Sequence, residues 1–190
     1  MSMFCYQCEQ TSKGTGCTRF SVCGKDEESA ILQDLLVHAT KGIAQYAHRA
    51  RALGESEPAA DHFTIEALFS TVTNVNFDPQ RLEALLRQAA NARDLAKGRY
   101  EAACRNAGQA PEAIRGPGTW TPAVDRPGLV KQGELVSILS RRDKLGPDLT
   151  GLQELLTYGL KGTAAYAITP GYWAMSPTPP TPFSTKRLTT

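Results

Sequence analysis

The sequence has no block of basic residues, no apolar run long enough to cross a bilayer and no signal peptide. Its net charge is only +2, with 21 Lys and Arg residues against 19 Asp and Glu residues, which argues against a nucleic-acid or membrane-surface partner. A membrane-spanning helix needs about 20 consecutive apolar residues, and a signal peptide needs a basic region followed by an apolar one. We therefore expect a cytoplasmic protein, in which cysteines stay reduced.

Candidate catalytic side chains other than cysteine are also few. The three histidines are His38, His48 and His62. The first two lie ten residues apart, about 15 Å along a helix, which is too far for both to bind one ion. We interpret all three as surface or interface residues. Since no Ser/His/Asp set, phosphate-binding glycine loop or carboxylate pair is recognisable, no catalytic residue is predicted.

Strand-like alternation is missing as well, whereas apolar residues recur at helical spacing from residue 26 onward. An aspartate that can cap a helix, or a glycine that can end one, marks several of the predicted boundaries. The predicted helices run from the cap Asp26 to Leu53-Gly54, from Asp61 onward, and from the cap Asp78 with Pro79 to about Ala103. Three such helices predict an antiparallel bundle within an all-α fold.

An internal repeat is the clearest long-range pattern. LQDLLVHATKGIAQYA, residues 32–47, returns as LQELLTYGLKGTAAYA, residues 152–167, with nine of sixteen positions identical. Convergence of two amphipathic helices is the alternative, but amphipathicity alone does not require Lys-Gly at the same place. We therefore predict that a second helical bundle begins in the second copy.

The second copy stops after Ala167, where a segment with five prolines follows. The codons of Tyr172-Trp173-Ala174, when read one base earlier, encode Leu-Gly, which matches Leu53-Gly54 of the first copy. We interpret the residues from about Ile168 onward as a frameshift product; the alternative is a genuine Pro-rich tail. The predicted organisation is a cysteine loop (1–25), a helical bundle (26–105), a Gly- and Pro-rich linker (106–150), the start of the second bundle (151–167) and the tail (168–190).

Four cysteines fall in the cysteine loop. Cys5, Cys8, Cys17 and Cys23 have the spacing C-x2-C-x8-C-x5-C. Thiolates are the preferred ligands of iron–sulfur clusters, and four of them complete a cluster. The glycines of this segment allow it to fold closely around an inorganic core. We predict that these four cysteines bind the cofactor and its metal ions.

Other readings of the cysteines are weaker. A structural zinc site usually has two close cysteine pairs, whereas the second pair here is separated by five residues. Disulfides do not suit a reducing compartment, and a redox-active C-x-x-C normally follows a strand. Cys104 stands alone near the end of the third helix and is predicted to be a small buried or half-buried side chain.

The opening of the chain resembles the start of the hybrid-cluster proteins, also called hydroxylamine reductases or prismane proteins. The resemblance extends from Met3 to Ala167, and it is carried by F-C-x-Q-C-x-x-T followed by GC and CGK. It implies a helical N-terminal domain of two bundles, in agreement with the repeat.

The resemblance also implies the roles of the cysteines. In that family the residues matching Cys5, Cys8, Cys17 and Cys23 hold an N-terminal cluster, and this spacing resembles the members with a 4Fe–4S rather than a 2Fe–2S cluster. Such a cluster passes electrons from an external donor, such as a small redox protein. The hybrid iron–sulfur–oxygen cluster that reduces hydroxylamine to ammonia and water, or handles nitric oxide, is held by later domains. We therefore expect a fragment that relays electrons but lacks the active site; the alternative is a stand-alone electron-transfer or zinc-binding module.

Overall fold

The computed structural model describes residues 3–168, and this part of the chain contains six α-helices and no β-strand. The helices are α1 (Glu27–Ala52), α2 (Pro58–Ser70), α3 (Pro79–Asn106), α4 (Arg126–Val136), α5 (Ile138–Leu145) and α6 (Pro147–Ala167). The prediction of an all-α fold is confirmed. None of these six helices is long and apolar enough to cross a membrane.

The predicted caps of α1 and α3 are confirmed. The Asp26 carboxylate accepts a hydrogen bond of 2.7 Å from the Ser29 amide, and the Asp78 carboxylate accepts from two amides of the first turn of α3. These oxygens pair with N–H groups that have no partner within the helix. Beyond the end of α1, Gly54 has a φ of 81°, a backbone conformation that favours glycine.

The start of α2 differs from the prediction. The helix begins at Pro58, three residues before the predicted Asp61. A proline fits the first turn because the N–H that it lacks has no helical partner there. Glu57, at the cap position, makes no side-chain cap hydrogen bond, so no capping residue marks this start. Asp61 lies within the first turn instead.

The hydrophobic core lies between α1 and α3. Side chains of both helices with at most 1% exposure form its centre: Leu32, Leu35, Leu36, Ile43, Leu82, Leu85 and Leu86. The helices α2 and α4 and a 3-10 turn at Gly116–Thr119 also pack against α1. The first copy of the repeat is therefore the central helix of a closed bundle.

The segment 106–150, which was expected to be a linker, contains α4, α5 and the start of α6. Its Pro-Gly pairs suggested a linker, but Pro127 lies in the first turn of α4, where proline is tolerated. Leu129 is fully buried, and Gly133 allows α4 to approach α1, since a Cβ there would lie 2.5 Å from Ile31 Cγ2. Two of the residues that suggested a linker therefore serve helix formation and packing.

The second copy of the repeat lies in α6, and its leucine face is exposed. Leu152, Leu155 and Leu156 are 66%, 69% and 67% exposed. No described residue covers this face as α3 covers the equivalent face of α1. The predicted frameshifted tail, apart from Ile168, lies outside the described residues.

Candidate functional site

All four predicted cluster ligands lie in the described part of the cysteine loop, residues 3–25. Cys5 and Cys17 form an isolated antiparallel bridge: the Cys5 amide donates to the Cys17 carbonyl at 3.0 Å, and the Cys17 amide donates to the Cys5 carbonyl at 2.7 Å. Cys8 lies in a bend after the first of these segments, and Cys23 lies in a turn after the second. The bridge places the first and third cysteines on neighbouring stretches of backbone.

Two glycines allow the loop to fold tightly. Gly24 has a φ of 95°, in the left-handed region, within a turn in which the Ser21 amide donates to the Lys25 carbonyl at 3.0 Å. Gly16 lies under the ring of Phe4, since a Cβ at Gly16 would lie 2.5 Å from Phe4 Cε2. A larger residue at either position would distort the loop beside a cysteine.

The four thiols differ in their surroundings, and those of Cys17 favour the thiolate. All four are free; Cys17 is buried and the other three are half-buried. The Ser12 amide donates to Cys17 Sγ at 3.5 Å. Burial alone raises the pKa of the Cys17 thiol, but hydrogen bonds from the amides of Ser12 and Val22, with smaller contributions from Ser21 and the charge of Lys25, outweigh it, and the pKa is lowered.

A buried cation faces the first cysteine. Lys25, which is only 1% exposed, places its Nζ 3.9 Å from Cys5 Sγ and 2.7 Å from Gln33 Oε1. The same ammonium lies 5.9 Å from the centre of the Phe77 ring. A buried lysine is rare without a compensating charge. A thiolate at Cys5 would supply that charge.

The donor set fits an iron–sulfur cluster in its chemistry: four free thiols, amide hydrogen bonds to sulfur and a buried cation. Within residues 3–168, no three His, Cys, Asp or Glu side chains are grouped so that they could hold a metal ion. A mononuclear zinc site needs its four ligands around one point, at about 2.3 Å for sulfur. In a cubane cluster each of the four irons binds its own thiolate, so the four sulfurs do not converge on one point.

A cavity of about 30 Å³ lies beside Cys5, between the cysteine loop, α1, α5 and α6. We call it the polar chamber and define it by Asp34, Lys41, Glu154 and Lys161, all of which line it. Asp34 and Lys41 occupy the same positions of the repeat as Glu154 and Lys161. Each copy of the repeat therefore contributes one acid and one base to the same chamber.

Burial shifts the titration of the groups around the chamber. Burial raises the pKa of Asp34 to about 6, although the charge of Lys161 opposes that rise. Burial also lowers the pKa of Lys161 to about 8. The pKa of His38 falls to about 4, first through burial and then through the nearby charges of Lys41 and Arg141. The pKa values of these three groups are therefore shifted from their ordinary values.

Comparison with known proteins decides the family. Residues 3–175 match the Prismane/CO dehydrogenase family. The chain belongs to this family. Among its relatives, a protein named hydroxylamine reductase from Rhodospirillum rubrum is 55% identical over 165 residues, which are 87% of this chain and 30% of the relative. Those named hydroxylamine reductase from Burkholderia lata and Geobacter sulfurreducens are 50% and 49% identical over 169 residues, again 30% of each relative. This chain therefore spans about a third of the relatives that it matches.

In this prismane-family chain, two tyrosines hold the cysteine loop against α6. The Tyr6 hydroxyl donates to Glu154 Oε2 at 3.3 Å, and the Tyr158 hydroxyl donates to the Gln7 carbonyl at 2.9 Å. Arg141 of α5 forms an ion pair with the same Glu154. The loop and the second copy of the repeat are thus packed together, although they lie at opposite ends of the described chain.

The remaining candidate residues of this prismane-family chain lie in different parts of the fold. His38 lines the polar chamber, His48 is exposed and His62 is half-buried. Cys104 is buried in the core, as predicted. Sequence reasoning missed Lys25, although it ends the CGK motif that begins with the last cysteine of the loop, Cys23. The position of Lys25 directly after Cys23-Gly24 was the signal that could have identified it.

Proposed function

We propose that this chain is the N-terminal iron–sulfur domain of a hydroxylamine reductase, in which Cys5, Cys8, Cys17 and Cys23 hold a 4Fe–4S cluster. The observation that carries the proposal is the backbone bridge between Cys5 and Cys17, which joins two cysteines twelve residues apart beside the buried ammonium of Lys25. The names of the relatives support the assignment to a reductase.

The chain's own residues would hold and tune the cluster. The four thiolates bind it, the Ser12 and Val22 amides direct hydrogen bonds to Cys17 Sγ, and Lys25 offsets negative charge. When bound, the cluster supplies a one-electron centre. We propose that a small redox protein of the cytoplasm is the external donor of these electrons.

The reductase reaction itself would use residues beyond this chain. Reduction of hydroxylamine takes two electrons and two protons: NH2OH + 2e⁻ + 2H⁺ gives NH3 + H2O. The chain spans 30% of the relatives' length, so we assign the hybrid cluster and the binding of hydroxylamine, or of nitric oxide, to the part that it does not span. We retain as proposals a first bundle over 26–105 and a second that begins at 151–167. The chain alone would then relay electrons without reducing hydroxylamine.

The test is anaerobic reconstitution of the 190-residue chain with iron and sulfide, followed by analysis of metal and sulfide and by EPR of the dithionite-reduced protein. We expect about four irons and four sulfides per chain, as a 4Fe–4S cluster requires. Each of Cys5→Ser, Cys8→Ser, Cys17→Ser and Cys23→Ser should lose most of the signal. Cys104→Ala is the matched control because its thiol lies in the helical core, and it should keep the signal.

Four outcomes would count against the proposal or its test. Binding of one zinc ion without sulfide would favour the zinc module, and about two irons and two sulfides would indicate a 2Fe–2S cluster. Equal loss of signal in the Cys104→Ala variant would show that the loss does not report on ligation. Hydroxylamine reduction by the loaded chain above a cluster-free control would overturn the assignment of the active site to other residues.

A further inference from the structure

Several charged side chains line the polar chamber, and not all of them have a hydrogen-bond or ion-pair partner. Glu154 pairs with Arg141 and accepts from Tyr6. When the Gln7 amide is oriented to suit both of its neighbours, its oxygen accepts a hydrogen bond of 2.8 Å from Lys161 Nζ. Each of these charged groups therefore has a specific partner.

Lys41 and Asp34 are the exceptions, and of these two Asp34 is the acid. Its side chain lines the chamber, yet among the described residues it makes no hydrogen bond and no ion pair within 4.0 Å. Its neighbour Gln33 accepts a hydrogen bond from Lys25, and Lys25 in turn lies against Cys5. A half-buried carboxylate without a donor is poorly stabilised when it is ionised, so a proton is its natural partner.

We propose that Asp34 takes up a proton from solvent when the cysteine loop gains an electron, so that the polar chamber couples proton uptake to reduction. The inference rests on the proposed function, because it needs a redox centre at the four cysteines. The electron comes from a one-electron reductant. The proton comes from water or buffer and forms an O–H bond on the Asp34 carboxylate, and reoxidation releases both.

The physical cause is the added negative charge. An electron placed in the cysteine loop raises the free energy of every nearby anion in a site that is poorly solvated, and protonation of a carboxylate removes one such anion. Asp34 suits this role because burial has already brought its pKa to about 6, close to neutral. Near pH 7 it is mostly ionised and can accept a proton.

The other titrating groups are less suited to accept that proton. Lys161, with a pKa of about 8, is already protonated near pH 7, and Glu154 already has partners in Arg141 and the Tyr6 hydroxyl. His38, with a pKa of about 4, would need a much larger shift. The charged and titratable groups that line the chamber with Asp34 come from the cysteine loop, α1, α5 and α6: Cys5, Tyr6, Lys25, His38, Lys41, Arg141, Glu154, Tyr158 and Lys161.

The test is a redox titration of the loaded chain, followed by EPR at several pH values between about 5.5 and 8.5. One proton per electron changes the reduction equilibrium tenfold per pH unit, which is about 59 mV for a one-electron couple. We expect the wild-type midpoint to fall with pH toward that slope above about pH 6. Asp34→Asn should remove most of the pH dependence of the midpoint potential. Asp34→Glu, which keeps a carboxylate, should retain part of it. Asp148→Asn is the matched control, since Asp148 is exposed at the start of α6, and it should leave the slope unchanged.

A second measurement locates the proton. The infrared difference spectrum between reduced and oxidised protein should gain the carbonyl band of a protonated carboxyl group, and this band should be absent in Asp34→Asn. A loaded wild-type chain whose midpoint does not depend on pH would overturn this inference alone, as would a slope that persists in Asp34→Asn. A chain that binds no iron and sulfide would overturn the proposed function and this inference with it.

Discussion

Leu36 and Leu156 occupy the same position of the repeat, but Leu36 is fully buried and Leu156 is 67% exposed. Leu36 lies on the face of α1 that packs against α3. The equivalent face of α6 has no such covering helix among residues 3–168. One sequence pattern therefore forms a core in one copy and a solvent-exposed stripe in the other.

We therefore expect truncation of Leu36 and truncation of Leu156 to lower the free energy of unfolding by very different amounts. Leu36→Ala should lower the free energy of unfolding by about 2–5 kcal/mol because it leaves a cavity in the core. Leu156→Ala should change it by less than about 0.5 kcal/mol, because an exposed side chain loses little on truncation. Urea unfolding followed by circular dichroism measures both. Equal losses would mean that the leucine face of α6 is covered in solution.

Gly42 and Gly162 form a second matched pair in the repeat. A Cβ at Gly42 would lie 2.3 Å from the carbonyl oxygen of Pro117, so Gly42→Ala should cost about 1–3 kcal/mol of stability. A Cβ at Gly162 meets nothing within 4 Å, so Gly162→Ala should stabilise α6 by up to about 1 kcal/mol. Thermal unfolding of the two variants should shift in opposite directions. A destabilised Gly162→Ala variant would contradict this expectation.

Lys25→Met tests the buried cation beside Cys5. Loss of its charge should destabilise the reduced, more negative form of the loaded loop and lower its midpoint potential by on the order of 100 mV. Lys13→Met is the control because Lys13 is an exposed lysine of the same loop, and its midpoint should stay close to wild type. Redox titration by EPR measures both variants. A Lys25→Met midpoint equal to the wild-type value would show that Lys25 serves packing only.

Asp34 should also affect the pH dependence of folding in the chain without a cluster. Its folded pKa of about 6 lies above the usual 3.8, so the folded state binds the proton more tightly than the unfolded state. The stability that this binding contributes is complete below about pH 4 and is lost as the pH rises to about 6. Because Asn does not titrate, the stability of Asp34→Asn relative to wild type should rise by about 2–3 kcal/mol across that window. Urea unfolding at pH 4, 5, 6 and 7 measures this difference, and a constant difference would contradict the assignment.

The parts of the fold that could be predicted from the sequence are those set by local chemistry. Asp26 and Asp78 cap helices through neighbouring amides, so their positions alone marked the helix starts. The start of α2 at Pro58 and the presence of α4 were missed, because proline and glycine also occur in linkers. Only tertiary packing showed that Leu129 is buried in the core.

The candidate site divides in the same way. The spacing of the cysteines predicted the ligand set, which remains a prediction, whereas the polar chamber had no local signal. Asp34 and Glu154 lie 120 residues apart and meet only through the packing of α1, α5 and α6 around the cysteine loop. Both copies of the repeat do have an acid and a lysine at matching positions. This match was the one feature of the sequence that pointed to the chamber.

The tyrosine contacts between the cysteine loop and α6 set an order of events during synthesis. The partners in these hydrogen bonds are separated by 148 and 151 residues, and the ribosome makes the cysteine loop first. At about 5–20 residues per second, α6 follows about 7–30 seconds later. During that interval the nascent cysteine loop lacks the hydrogen-bond partners that α6 later supplies to Tyr6 and Gln7. If the four cysteines hold the cluster proposed above, iron and sulfide can reach the loop before α6 packs against it.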